Sequence, residues 1–185
     1  MPVIATLHPW SGAPDMQCIA QGSLSTRELL QLGWQPELVG ELDHRALKAP
    51  SVKLRSVRQV AAGDRVYCVD LRVRRPNADA FLSSTELHSL EHFLLEGLTR
   101  HLPANFVSVG IMGCRTGFYL VFLNEGRAEH LCKVLQRVLE EMQAASRVPY
   151  ASIEQCGHYR DHSLEAAQRV AREILQQRAT WLQAA

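Results

Sequence analysis

Between Val52 and Val73 β-branched residues alternate with polar ones, and the alternation breaks once, at Ala61-Ala62-Gly63-Asp64. A period of two with a turn in its middle predicts a β-hairpin, with Arg65–Val73 as the stronger strand. Pro76-Asn77-Ala78-Asp79 then turns the chain toward an apolar stretch of helical period at about 84–101. Two further strands are predicted at 106–111 and 117–123. The loop between them, Met112-Gly113-Cys114-Arg115-Thr116-Gly117, is tight enough that its glycines are expected to supply positive φ. Leu131, Val134, Leu135, Val138, Leu139 and Met142 recur at helical spacing over 127–145. Leu164, Ala167, Val170, Ala171, Ile174 and Leu175 do so over 163–183. Hairpin, helix, two strands and two more helices describe an α+β fold, an antiparallel sheet with helices packed on one face.

The first 40 residues have a different texture. Pro, Gly and Ser punctuate them until Ser25-Thr26-Arg27-Glu28, which has the form of a capping box ahead of Leu29-Leu30-Gln31-Leu32. Residues 1–40 are therefore expected to be an N-terminal extension, an irregular arm with one short helix, and 41–185 the main domain. Trp10 and Trp34 are expected to pack the arm onto the body.

Composition narrows the function classes. The chain has 185 residues, 46% hydrophobic and 21% charged, with a net charge of +1. That length fits one domain, and the charge balance gives no electrostatic reason to bind nucleic acid or an anionic membrane. No apolar run approaches the roughly 20 residues of a membrane span. The N-terminus lacks the basic and long apolar segments of a secretory signal. Five cysteines without framework spacing suit a reducing compartment, so a cytoplasmic location is expected.

Within the first long helix stands His88-Ser89-Leu90-Glu91-His92. Histidines at i and i+4 lie one turn apart on one helix face, so both imidazoles can reach one metal ion. Glu91 projects near that face, where general acid–base chemistry would use a carboxylate. A surface histidine pair would show the same spacing, and a third ligand is needed. Cys156, just before the last helix, would complete a set of three protein ligands with one open position, a catalytic arrangement. His158 and His162 are rivals for that role if they lie on the final helix, although Asp161 and Ser163 look more like its N-terminal cap. Cys114 is the second reactive candidate, because a glycine-flanked loop exposes its sulfur and Arg115 or a nearby metal would favour the thiolate. Cys18, Cys68 and Cys132 read as packing residues.

These residues together resemble a known family, the S-ribosylhomocysteine lyases (LuxS) of the bacterial activated-methyl cycle. The resemblance runs over about 41–178. It is carried by Glu41-Leu42-Asp43-His44, Ala49-Pro50, Asp70-Leu71-Arg72, Pro76-Asn77, the 88–92 motif, Met112 through Tyr119, Cys156-Gly157 and Asp161-His162-Ser163-Leu164. It implies a homodimer with two active sites at the interface. It also implies a divalent metal on His88, His92 and Cys156, iron(II) natively and zinc or cobalt often when isolated. The implied substrate is an S-linked ribose in its open aldehyde form. Its carbonyl migrates from C1 through C2 to C3 by proton shuttling, with Lewis-acid assistance, before β-elimination expels the thiol. The products are homocysteine and 4,5-dihydroxy-2,3-pentanedione, the precursor of a quorum-sensing signal. By this match Cys114 and Glu91 are the acid/base pair, while His44 and Arg72 hold the sugar hydroxyls or the charged end of the ligand. His44 would reach across from the partner subunit.

The match departs from the family where the amino-acid part of the substrate is gripped. The serine usual five residues before the counterpart of His44 is Val39. The arginine usual seven residues after the second metal histidine is Thr99, with Arg100 beside it. The aspartate usual six residues before the catalytic cysteine is Ser108, and Ile111 replaces a proline. Ser108 and Thr99 are thus the expected substrate contacts at those positions, and a different thioether sugar is the alternative substrate. Two other readings stand beside the lyase. One is a non-catalytic descendant that binds metal or sugar; the other is an inverted zinc peptidase, which leaves Cys114 unexplained.

Overall fold

The computed structural model describes residues 24–60 and 63–185. Their elements run in chain order α1 (Thr26–Gln31), β1 (Ser51–Gln59), β2 (Arg65–Arg72), α2 (Ser84–His101), β3 (Phe106–Ile111), β4 (Gly117–Leu123), α3 (Ala128–Ala144) and α4 (Leu164–Leu175). Single 3-10 turns lie at Pro36–Leu38 and Arg178–Thr180. The strands form one antiparallel sheet of order β1-β2-β4-β3. The expected α+β class is therefore the observed one.

Register decides what each sheet face carries. Leu54, Val69, Leu120 and Val109 share one rung, and Lys53, Asp70, Tyr119 and Gly110 share the next. Because side chains alternate, the first set points to the helices and the second to the opposite face. Leu54, Val69 and Leu120 are buried against Leu90, Leu94 and Leu98 of α2 and Leu135 and Leu139 of α3. Each such side chain contributes roughly 1.5–3 kcal/mol of gross burial energy. Gly97 is where α2 and α3 approach closely, since a Cβ there would lie 2.6 Å from a Val138 methyl.

Capping fixes the start of α2. Ser83 accepts from the Glu86 N–H, and Glu86 returns the bond to the Ser83 N–H, closing a capping box. Ser25 and Glu28 do the same for α1, as their spacing predicts.

Two expectations change. The last helix ends at Leu175 rather than near 183. The chain turns there so that the Trp181 indole N–H donates to the Ile174 carbonyl at 2.9 Å, and Trp181 accepts from the Val52 N–H at 2.7 Å. Tying the C-terminus to β1 in this way outcompetes further helix. Neither Gly113 nor Gly117 takes positive φ; the left-handed residue of the 112–117 turn is Arg115, at φ 57°. Gly117 is required for another reason, because a Cβ there would lie 2.1 Å from the Leu71 carbonyl oxygen. Trp34 packs into the core, and its indole N–H donates to the Gly126 carbonyl at 2.6 Å. Trp10 and Cys18 lie outside the described residues. No helix among the described residues is long and apolar enough to cross a membrane.

Candidate metal centre and acid/base site

The side chain of His92 is buried where α2 meets the loop joining α3 to α4. His92 Nδ1 donates to the Pro149 carbonyl at 2.7 Å, and His88 Nδ1 donates to the Asp161 carbonyl at 3.0 Å. A carbonyl can only accept, so both rings carry a proton on Nδ1, and the neutral ring then offers Nε2 as its free donor atom. This is the arrangement by which an outer hydrogen bond fixes the tautomer and orientation of a metal-binding histidine.

Cys156 Sγ lies 3.3 Å from His88 Nε2. With metal–nitrogen bonds near 2.0 Å and metal–sulfur bonds near 2.3 Å, a tetrahedral ion would separate those donors by roughly 3.4–3.6 Å. The donor atoms of His88, His92, Cys156 and His162 all lie within 4.8 Å of one another. The His88–Cys156 spacing is close to that range, and the donor chemistry of His88, His92 and Cys156 suits a divalent metal.

His162 enters this cluster although it is not helical. It precedes Ser163, the N-cap of α4, and the segment around it is strapped to α2. Thr85 Oγ1 donates to Asp161 Oδ1, the Ser163 N–H donates to Ser89 Oγ at 2.9 Å, and Asp161 holds His88 through its carbonyl. Burial, then the nearby His88 and His92, pushes His162 down to about 4. Its place comes from these tertiary bonds and not from i, i+4 spacing on the final helix. His158, the other alternative to Cys156 as third ligand, is exposed.

A second cluster forms at the end of β2. Buried Arg72 donates through Nη1 to Thr116 Oγ1 and lies 3.8 Å from Cys114 Sγ, while Thr116 Oγ1 lies 2.9 Å from that sulfur. Partial desolvation pushes the Cys114 thiol up. Hydrogen bonds from Thr116 and the Arg72 guanidinium outweigh it, so the thiol sits below its usual range. Asp70 steadies this corner, 3.9 Å from Arg72 and 3.3 Å from Lys53. Cys68 and Cys132 behave oppositely, since burial pushes both thiols up, that of Cys132 to about 12.

Glu91, beside His92, makes no hydrogen bond or ion pair among the described residues. Thr99 and His44 are exposed and have no side-chain hydrogen bond among those residues; Ser108 is exposed and bonds weakly to the adjacent Val109 carbonyl at 3.4 Å. Arg100 is committed elsewhere, to Glu96 at 2.8 Å and Glu141 at 2.7 Å. It lines a cavity of about 560 Å³ with Phe93, Gly97, Glu141, Pro149 and Tyr150. That cavity does not include Glu91, Cys114 or Thr99.

Comparison with known proteins agrees with this geometry. The family model described as S-ribosylhomocysteinase (LuxS) matches residues 40–185. S-ribosylhomocysteine lyase of Halobacillus halophilus is 40% identical over 140 residues, 76% of this chain and 91% of the relative. The same enzyme of Dichelobacter nodosus is 42% identical over 142 residues, 77% and 91%. That of Helicobacter pylori strain J99 is 38% identical over 141 residues, 76% and 91%. With the expected fold and the histidine–cysteine cluster in place, the chain belongs to the S-ribosylhomocysteinase (LuxS) family.

Proposed function

We propose that this protein is a metal-dependent carbon–sulfur lyase that cleaves the thioether of S-ribosylhomocysteine to homocysteine and 4,5-dihydroxy-2,3-pentanedione. The observation that carries the reading is the convergence of Cys156 Sγ on His88 Nε2 at 3.3 Å, with the Nδ1 atoms of His88 and His92 each tied to a carbonyl. A divalent ion held by His88, His92 and Cys156, iron(II) in the cell, supplies Lewis acidity to a sugar carbonyl oxygen.

The remaining work is proton movement by side chains. Moving a carbonyl from C1 to C2, and then to C3, requires a proton to leave one carbon and return to its neighbour at each stage. A lowered thiol is suited to this, because it is a base as thiolate and an acid as thiol near neutral pH. Cys114 takes that role, supported by Thr116 and Arg72. Glu91 is the second acid/base, its carboxylate free of competing ion pairs among the described residues. With the carbonyl at C3, loss of the C4 proton expels the thiolate from C5, and homocysteine leaves on taking up a proton. Arg72 and the exposed His44 are assigned to the sugar hydroxyls, His44 from the partner subunit of a homodimer. Exposed Phe81, Leu95, Val107 and Ile111 supply apolar surface that such a dimer would cover. Residues 1–40 are taken as an extension to the lyase domain, and the compartment as the cytoplasm.

One observation favours a variant of this reading. The neighbour best placed in sequence to replace a charged anchor at Thr99 is Arg100, and it is held by Glu96 and Glu141. Thr99 and Ser108 then offer only neutral contacts, which supports recognition of a thioether sugar with a different amino-acid end. Incubating the metal-loaded protein with S-ribosylhomocysteine and quantifying both products tests the two together. Equimolar homocysteine and dihydroxypentanedione at the rate ordinary for the family removes the altered-substrate variant. No release of either product removes the main reading.

A further inference from the structure

Three imidazoles surround Cys156, and they are not held alike. His88 and His92 each give the Nδ1 proton to a carbonyl. His162 does not: its Nδ1 is buried without a hydrogen-bond partner among the described residues, and its Nε2 lies 3.6 Å from Cys156 Sγ. Distance alone would suit either a fourth metal ligand or a hydrogen-bond donor to sulfur. The position of the single ring proton separates them. A ligating Nε2 must be bare, which places the proton on Nδ1 and buries an N–H with no acceptor among the described residues. Metal-binding histidines almost always give that proton to a carboxylate, a carbonyl or water, as His88 and His92 do here. With the proton on Nε2 instead, the ring's one donor faces the sulfur.

We propose that His162 is not a ligand but an Nε2–H donor to the Cys156 thiolate, an inference that rests on His88, His92 and Cys156 being the metal ligands. The sulfur then receives two N–H bonds, because the His158 backbone N–H also points to it at 3.4 Å. The strap from Asp161 and Ser163 to Thr85 and Ser89 holds the imidazole in place. Hydrogen bonds to a metal-bound thiolate withdraw charge from sulfur, which weakens its donation and leaves the ion a stronger Lewis acid. His162 acts through Cys156 and is therefore a positioning residue, tuning the metal without touching the substrate.

The test is optical and X-ray spectroscopy of the cobalt(II)-loaded protein. A thiolate ligand gives a sulfur-to-cobalt charge-transfer band, whose energy falls when hydrogen bonds to sulfur are lost. His162→Leu, of similar bulk without a donor, is expected to shift that band to lower energy. The ligand-field bands and the count of nitrogen and sulfur neighbours at the cobalt edge are expected to stay as in the unsubstituted protein. His162→Gln, whose amide can still donate, is expected to shift the band less. Loss of one nitrogen neighbour in His162→Leu would make His162 a ligand and overturn the inference. An unmoved band in both variants would make it a bystander and overturn it too. If the unsubstituted protein takes up cobalt with no sulfur charge-transfer band, the three-ligand reading itself fails, and this inference with it.

Discussion

Arg72 Nη1 stands 3.8 Å from Cys114 Sγ, and the Thr116 hydroxyl bonds to both groups. The guanidinium and the hydroxyl favour the charged sulfur, overcoming the desolvation that opposes it, so the thiol is held below its usual range. Removing the charge in Arg72→Met leaves desolvation with less opposition and moves the thiol upward. The thiolate that exists at a given pH in the parent would then need a higher pH in the variant. Alkylation of Cys114 by iodoacetamide, followed by mass spectrometry across pH, is expected to show its midpoint displaced to higher pH. An unmoved midpoint would remove Arg72 from this role.

Gly117 is fixed by contact rather than by backbone conformation. A Cβ at 2.1 Å from the Leu71 carbonyl oxygen forces β2 and β4 apart at the rung beside Arg72. Gly117→Ala is expected to cost about 1–3 kcal/mol or more, the range for inserting atoms into a packed site. At this chain length each kcal/mol corresponds to roughly 2–4 °C in Tm. Calorimetry should therefore show a melting point lower by several degrees, with Cys114 alkylation altered as well. A full-strength melt would mean that the strands accommodate a methyl group.

Glu91 separates chemistry from metal binding. It lies outside the donor cluster of His88, His92, Cys156 and His162. Glu91→Gln preserves size but cannot take up a proton, and positioned acid/base groups are worth about 10²–10⁴ in rate. The expectation is a loss of that order in kcat, with metal content by elemental analysis equal to that of the parent. Loss of metal along with activity would make Glu91 part of the ion's surroundings instead.

Thr99 tests which substrate end is gripped. A charged hydrogen bond contributes about 1.5–3 kcal/mol, roughly 10–100-fold in affinity. If the substrate carboxylate lacks its partner here, Thr99→Arg is expected to lower KM for S-ribosylhomocysteine by about that factor. An unchanged KM would place the carboxylate on another residue.

How far the sequence could be read depended on how local each determinant was. The strands at 106–111 and 117–123 follow from short runs rich in β-branched and aromatic residues, and the start of α1 from Ser25 and Glu28 three apart. Those signals need nothing from the rest of the chain. The end of α4 could not be read this way, because no glycine or proline marks it. Helical spacing continues past Leu175 while the stop comes from Trp181 docking on Ile174 and Val52. The two histidines of α2 were legible from their i, i+4 spacing. His162 could not be placed, since its position depends on bonds from Asp161 and Ser163 to residues about 75 positions earlier in the chain. The 112–117 turn shows the same limit: its glycines suggested left-handed backbone, whereas the strain fell on Arg115 and Gly117 answered a contact with the neighbouring strand.

The central claim is that lyase activity resides in a metal held by His88, His92 and Cys156. It is tested most directly by stripping the protein with a chelator, restoring iron(II) or cobalt(II) stepwise without oxygen, and following thiol release from S-ribosylhomocysteine. Thiol release that is absent in the stripped protein, rises in proportion to bound metal and levels off at one ion per chain is the predicted result. In Cys156→Ser the same titration is expected to give weaker binding and little activity. Thiol release that persists in fully stripped protein, or that is unaltered in Cys156→Ser, would contradict the account.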